Sequence, residues 1–196
     1  MGANNTAQVL SGRPNVAGAV FSFPVGAEIP EDATTALPTQ DQRALGYVSE
    51  DGLTNSYTRD SEQIREWGGK IVRVLQTDVT DTWSLALIQS GDPDVLAEVF
   101  GEENVVVTPA DSGSGKGELI TVKRNGAPLP PRCFVFEMFD AGRARRVKLG
   151  NAQITENEDI AYQRGAAVQY GITITAYPDE AGNSSVEYIE EVVAAA

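Results

Sequence analysis

The sequence predicts a mainly β chain with a single short helix. Three observations point there. Period-two alternation of β-branched and polar side chains recurs through most of the 196 residues, helix-periodic runs are few, and Gly, Pro, Asn and Asp bound nearly every strand-like run. The stretch from Lys70 to Gly101 displays all three. Ile71, Arg73, Leu75 and Thr77 alternate with Val72, Val74, Gln76 and Asp78, as in a sheet strand. Asp78-Val-Thr-Asp81 then reads as a turn, and Thr82 to Gln89 as the returning arm of a hairpin. Asp92 supplies an N-cap, Pro93 suits the first helical turn, and Asp94 sits at the positive helix end, so a flanking helix is expected over about 92–100. Val95, Leu96, Val99 and Phe100 give it one apolar packing face, and Gly101 ends it.

The other elements follow in chain order. Residues 1–15 read as an N-terminal arm and Val16–Phe23 as a first strand. Residues 24–45 form a long loop or arm with three prolines and four acids between Pro24 and Arg43, a length that is unusual inside a compact domain. Leu45–Val48 begins a strand that breaks at Glu50-Asp51-Gly52. Thr58–Trp67 suits a polar strand or a short helix capped by Asp60 or Ser61, and the strand is preferred because Trp67-Gly68-Gly69 turns it into Lys70. After the helix come Asn104–Thr108, a glycine-rich turn and Glu118–Arg124, with Asn125-Gly126 as a type I′ hairpin signal. Arg132–Phe139 is densely apolar, and Ala141-Gly142 turns it into Arg143–Leu149. Ala166–Tyr177 alternates most cleanly of all, Val168, Tyr170, Ile172 and Ile174 against Gln169, Gly171, Thr173 and Thr175. A last strand, Ser185–Ile189, precedes a flexible tail over 190–196.

Composition limits the function. The length suits one domain with a real core, and no Ser/Pro-rich linker divides it. No apolar stretch approaches the ~20 residues needed to span a bilayer, and the first twelve residues lack the basic and apolar regions of a secretory signal. There is no histidine, which excludes imidazole as base, nucleophile or metal ligand. The single Cys133 excludes an internal disulfide framework, and its neighbours Phe134, Val135 and Phe136 mark a packed, inert thiol. Net charge is −13, distributed as −10 over residues 1–103, +4 over 104–155 and −7 over 156–196. A basic middle between acidic flanks suits head-to-tail contact between copies, or is ordinary surface clumping. The overall acidity opposes tight DNA binding, despite the cluster Arg143, Arg145, Arg146 and Lys148.

Motifs for small-molecule chemistry fail on inspection. Asp111-Ser-Gly-Ser-Gly-Lys116-Gly117 resembles a phosphate loop, but Ala110 stands where glycine is required and Gly117 where Ser or Thr is required. Glu102-Glu103 and Glu156-Asn-Glu158-Asp159 lack the spacing of a calcium loop. No cofactor, metal or catalytic constellation is expected, and the chain does not read as an enzyme. Trp67 precedes a Gly-Gly turn and Trp83 shares a face with Leu85 and Leu87, so core packing accounts for both.

Three regions together resemble the major tail tube protein of long, non-contractile-tailed (siphovirus-type) bacteriophages, those of actinobacteria in particular. They are Gly46–Gly52 (GYVSEDG) leading into TRDSEQIREWGGKIVRVLQTD; Val79–Gly101; and Arg146–Tyr177, RVKLGNAQITENEDIAYQRGAAVQYGITITAY. The resemblance implies a β-sandwich or barrel with one flanking helix and long loops, assembled as stacked hexameric rings in the virion tail. It implies synthesis in the host bacterial cytoplasm. It further implies a tape-measure protein inside the tube, tail terminator and distal tail or baseplate proteins at its ends, and DNA passing through the lumen without specific binding. In such proteins an extended loop joins successive rings. Here that loop is expected from Glu50 to Tyr57, with Glu50, Asp51, Gly52, Leu53, Thr54 and Asn55 as its residues. The strands Thr58–Trp67 and Lys70–Gln76 are expected to line the lumen through Ser61, Gln63, Arg65, Lys70 and Gln76, with the Arg143–Lys148 cluster turned away. The competing readings are another tail completion ring or secretion tube, and a monomeric β-sandwich binding module.

Overall fold

The computed structural model describes residues 8–15, 18–113 and 115–192. Its strands are β1 (Val20–Pro24), β2 (Arg43–Ala44), β3 (Val48–Arg65), β4 (Ile71–Leu87), β5 (Val105–Thr108), β6 (Leu119–Val122), β7 (Arg132–Asp140), β8 (Arg143–Asn157), β9 (Tyr170–Ala176) and β10 (Val186–Glu191). One helix, α1 (Pro93–Phe100), lies between β4 and β5. The main sheet runs β2-β1-β7-β8-β9-β4-β3 with β10 also on β8, and β5 and β6 form a separate hairpin.

The architecture turns on β8. One edge pairs with β7 from Arg143 to Ala152. The other edge pairs first with β10, over Arg143–Lys148, and then with β9, over Ala152–Asn157. One long strand therefore serves two layers, giving a mainly antiparallel, sandwich-like fold. Phe134, Phe136, Val147 and Leu149 of one layer meet Leu85, Leu87, Ile172 and Ile174 of the other, and Val95, Leu96 and Val99 of α1 close the same core. Trp83 stacks on Phe136 at 5.5 Å between centroids, and Phe100 meets Tyr170 edge-on at 5.4 Å.

Local chemistry explains α1. The Asp92 carboxylate accepts from the Asp94 N–H, Pro93 opens the first turn, and Gly101 at φ 92° ends the helix. At the far end of β7, Ala141 (φ 50°) and Gly142 (φ 77°) form the tight turn expected from their sequence.

Four expectations need correction. Asp78–Asp81 is not a turn, because β4 runs unbroken through it and pairs back on β3. The hairpin closes instead at Trp67–Lys70, where Gly69 takes φ 86° and the Gly69 N–H donates to the Glu66 carbonyl. Glu50-Asp51-Gly52 does not break a strand; it is a bulge in β3, between the pairs Val48–Leu87 and Leu53–Leu85. Asn125-Gly126 makes no hairpin. Asn125 instead exchanges side-chain hydrogen bonds with Asn104 at 2.9 and 3.1 Å and caps the Ala127 N–H. Of the expected tail 190–196, Glu190 and Glu191 belong to β10, while residues 193–196 lie outside the described residues.

The long segment after β1 is held down rather than free. Ile29, with Ala27 and Leu37, covers Phe21, Phe23, Cys133 and Val135 on the outer face of β1 and β7, so β7 is buried on both sides. Burial pushes the Cys133 thiol up to about 11, which keeps it un-ionised near neutral pH. Of the N-terminal arm, residues 1–7 lie outside the described residues. Residues 11–15 lie along β7, with the Asn15 N–H on the Glu137 carbonyl and the Phe139 N–H on the Arg13 carbonyl.

Candidate assembly surface

The β3–β4 hairpin leaves the body at Asp81. That carboxylate is 2 % exposed, yet it accepts from Asn55 at 2.7 Å, Ser184 at 2.7 Å and Ser185 at 2.8 Å. Three hydrogen bonds to one buried carboxylate tie both hairpin strands to the connection that enters β10. Body contacts end there. β9 pairs with β4 only over Asp81–Leu87, so from Ile71 to Thr80 the described residues give β4 no ladder partner but β3. Every residue from Thr54 to Val74 is exposed.

Register divides the projecting hairpin into two faces. Asn55–Trp83 and Leu53–Leu85 are core-facing pairs, and Tyr57, Arg59, Ser61, Gln63 and Arg65 continue that face along β3. Gln76 opposite Ser61 and Val74 opposite Gln63 continue it along β4. Beyond Asp81, which pairs with Tyr57 at its base, the charges of this face are basic: Arg59 lies over the Tyr57 ring, and Arg65 donates to Gln63 at 2.7 Å. The opposite face continues the body's outer side. There Ser84 and Thr173 hydroxyls meet at 3.2 Å, and Thr155 and Thr175 at 2.8 Å. Outward along the hairpin it carries Asp60, Glu62 and Asp78 against Arg73, with Asp60 directly opposite Asp78.

The structure thus places Ser61, Gln63, Arg65 and Gln76 together on one hairpin face, while Lys70 sits at the tip, its carbonyl accepting from the Glu66 N–H. Glu50 to Asn55, expected as a loop, are instead strand and bulge residues at the base of β3. The extended element is the hairpin itself, and the sequence signal for it was the continuous alternation from Thr54 through Arg65. Trp67 is also misplaced by sequence. It is not in the core but stands at the hairpin tip, fully exposed. Tyr57, Ile64, Ile71, Val72, Val74 and Val79 add further exposed apolar area.

Other sequence candidates find structural partners. Arg145 pairs with Glu187 at 3.3 Å and Arg143 lies 4.0 Å from Glu191, both on the adjacent β10. Arg146 is buried and reaches Glu137 and two loop carbonyls. The basic cluster is thus largely neutralised within the fold. Glu98 of α1, 5 % exposed, accepts from Ser22 at 2.8 Å and lies 3.3 Å from Arg43 and 3.4 Å from Arg132. These long-range ion pairs left no sequence signal. Between β5 and β6, Asp111 and Lys116 of the phosphate-loop-like segment exchange backbone hydrogen bonds. Among the described residues no helix is long and apolar enough to cross a membrane.

Comparison with known proteins adds three findings. Among solved structures, the chain is similar to the tube-terminating cap of the anti-feeding prophage. The identity is 10 %, the TM-score is 0.43, and the match covers 87 % of this chain and 95 % of that one. No curated protein matches the sequence. Residues 1–196 match the family model for phage tail tube proteins. The chain belongs to the phage tail tube protein family and is a structural component of the virion tail.

Proposed function

We propose that copies of this chain assemble into stacked, hexameric rings that form the tube of a long, non-contractile tail, the conduit through which DNA leaves for the host. The uncovered β3–β4 hairpin carries this reading. A two-stranded ribbon with both edges unpaired is marginal in water, and pairing its edges with neighbouring copies closes a barrel that removes them. In place of the wall of Ser61, Gln63, Arg65, Lys70 and Gln76 expected from the sequence, this scheme turns inward the hairpin face that continues the body's hydroxyl-rich outer side. Its acids, Asp60, Glu62 and Asp78, repel phosphate, so DNA slides rather than binds. The core-side face with Ser61, Gln63, Arg65 and Gln76 then packs against adjacent copies. The bulged base of β3, Glu50–Asn55, lies at the joint between rings.

In this scheme a tape-measure protein occupies the lumen during assembly, and terminator and distal tail proteins cap the ends. The subunit is made in the bacterial cytoplasm and acts without a cofactor. Negative-stain electron microscopy of concentrated, purified protein tests the assembly. Tubes with a central channel and sixfold end views are expected. A monodisperse monomer at every concentration would overturn the proposal.

A further inference from the structure

A cavity of about 870 Å³ opens at the base of β3, on the opposite end of that strand from the hairpin tip. Ala19, Val20, Val48, Leu53, Phe136 and Met138 give it apolar walls. Tyr47, three-quarters exposed, stands in the same lining. Ser49 lines it too, and its buried hydroxyl has no hydrogen-bond partner among the described residues. Of the acids in the lining, Glu137 is paired with Arg146 and Asp92 caps α1, while Glu50 is exposed; no Lys or Arg is found among its described residues. An apolar hollow with an exposed acid beside it and no base in its lining suits an aromatic side chain flanked by bases.

The hairpin tip has that composition. Trp67 projects from the turn with no contact to shield it; Arg65 and Lys70 bracket that turn and Arg73 stands opposite Ile64, against the acids Glu66 and Glu62. Trp67 cannot enter the cavity of its own chain. Twelve residues of strand separate Leu53, in the cavity wall, from Arg65 beside the tip, about 40 Å at ~3.3 Å per residue. We propose that Trp67 of one copy seats in the β1–β3–β7 cavity of the next copy along the tube. The contact joins two different surfaces of the same molecule. It is therefore heterologous, and its repetition propagates an open-ended stack instead of closing a dimer. A tryptophan anchored in a desolvated pocket and ringed by charge pairs is the usual composition of an interface hot spot.

The inference rests on self-assembly as proposed above, and two measurements separate their failures. Trp67→Ala leaves the body intact, because the side chain touches nothing within the subunit. Its melting curve should match wild type, while the concentration needed for tubes rises roughly tenfold or more. Trp67→p-benzoylphenylalanine, irradiated in assembled protein and mapped by mass spectrometry, should cross-link to residues 44–53 or 136–138 of another copy. Cross-links to a second hairpin or to residues 1–7, or Trp67→Ala tubes at the wild-type concentration, would refute the cavity as the seat of Trp67 while leaving self-assembly standing. A wild-type protein that never polymerises would remove both.

Discussion

Shortening the hairpin should abolish tubes without unfolding the subunit. Ser61 and Gln76 are register partners, so deleting Glu62–Leu75 and joining the two strands with Asn-Gly closes the ladder with a favoured two-residue turn. The deletion removes Ile64, Trp67, Ile71, Val72 and Val74, all exposed in the free chain. Each such side chain contributes roughly 1.5–3 kcal/mol when fully buried, and their sum, about 7.5–15 kcal/mol, is comparable to the whole net free energy of a micromolar-to-nanomolar interface. The removed residues contribute nothing to the buried core, so the melting temperature should move by only a few degrees. Electron microscopy and sedimentation should show a folded monomer at concentrations where the parent chain forms tubes. Tubes of unchanged width from the shortened chain would exclude the hairpin as the ring-forming element.

Arg146→Ala should produce the largest loss of subunit stability. Arg146 is 2 % exposed. Its guanidinium donates to Glu137 at 3.0 Å, to the Asp32 carbonyl at 2.8 Å and to the Thr35 carbonyl at 2.6 Å. Hydrogen bonds from Thr35 and Thr34 hold the Asp32 carboxyl below its usual range, and Glu190 of β10 reaches the same loop through Thr34 at 2.9 Å. One side chain thus fastens the 25–42 segment over the apolar patch on β1 and β7. Truncation leaves Glu137 with its charge largely desolvated and uncompensated, a situation that costs about 3–5 kcal/mol. For a chain of this size that lowers Tm by roughly 10 °C. Thermal denaturation reads the loss, and hydrogen exchange should locate early opening in residues 25–42. Adding Glu137→Gln should recover part of the stability, since the stranded charge is then gone. If Arg146→Ala melted within a degree or two of wild type, the fastening role would be wrong.

The legible parts of the fold are those whose causes are local. The helix could be read because Asp92, Pro93 and Gly101 act on backbone groups within a few residues. β9 could be read because a strand with one buried face alternates, as Ile172 and Ile174 do against Thr173 and Thr175, and β7 because a strand covered on both sides reads as a near-continuous apolar run. Asp78–Asp81 misled because two aspartates flanking Val-Thr favour a turn when read alone. Their strand conformation is set from elsewhere: by β3 and β9 on either side, and by Asn55, Ser184 and Ser185 at the Asp81 carboxylate. Trp67 misled for a related reason. Its hydrophobicity argues for burial, and nothing in the local pattern reveals that the hairpin carries it away from the core. The Glu98 and Arg146 clusters join residues 9 to 114 positions apart, beyond any local pattern.

The facing aspartates of the projecting ribbon have one more implication. Asp60 and Asp78 stand on one rung with the same charge, and register slips follow between Asp60 and Ser61 and again between Ile64 and Arg65. Like charges across a rung weaken the ribbon, and irregular edges are poor templates for a stray strand. A newly made subunit is thereby kept from zipping indiscriminately onto the next one it meets. In the proposed assembly, growth is left to sites where several neighbours already hold the ribbon in place, so the arm proposed to build the pipe would also delay its premature construction.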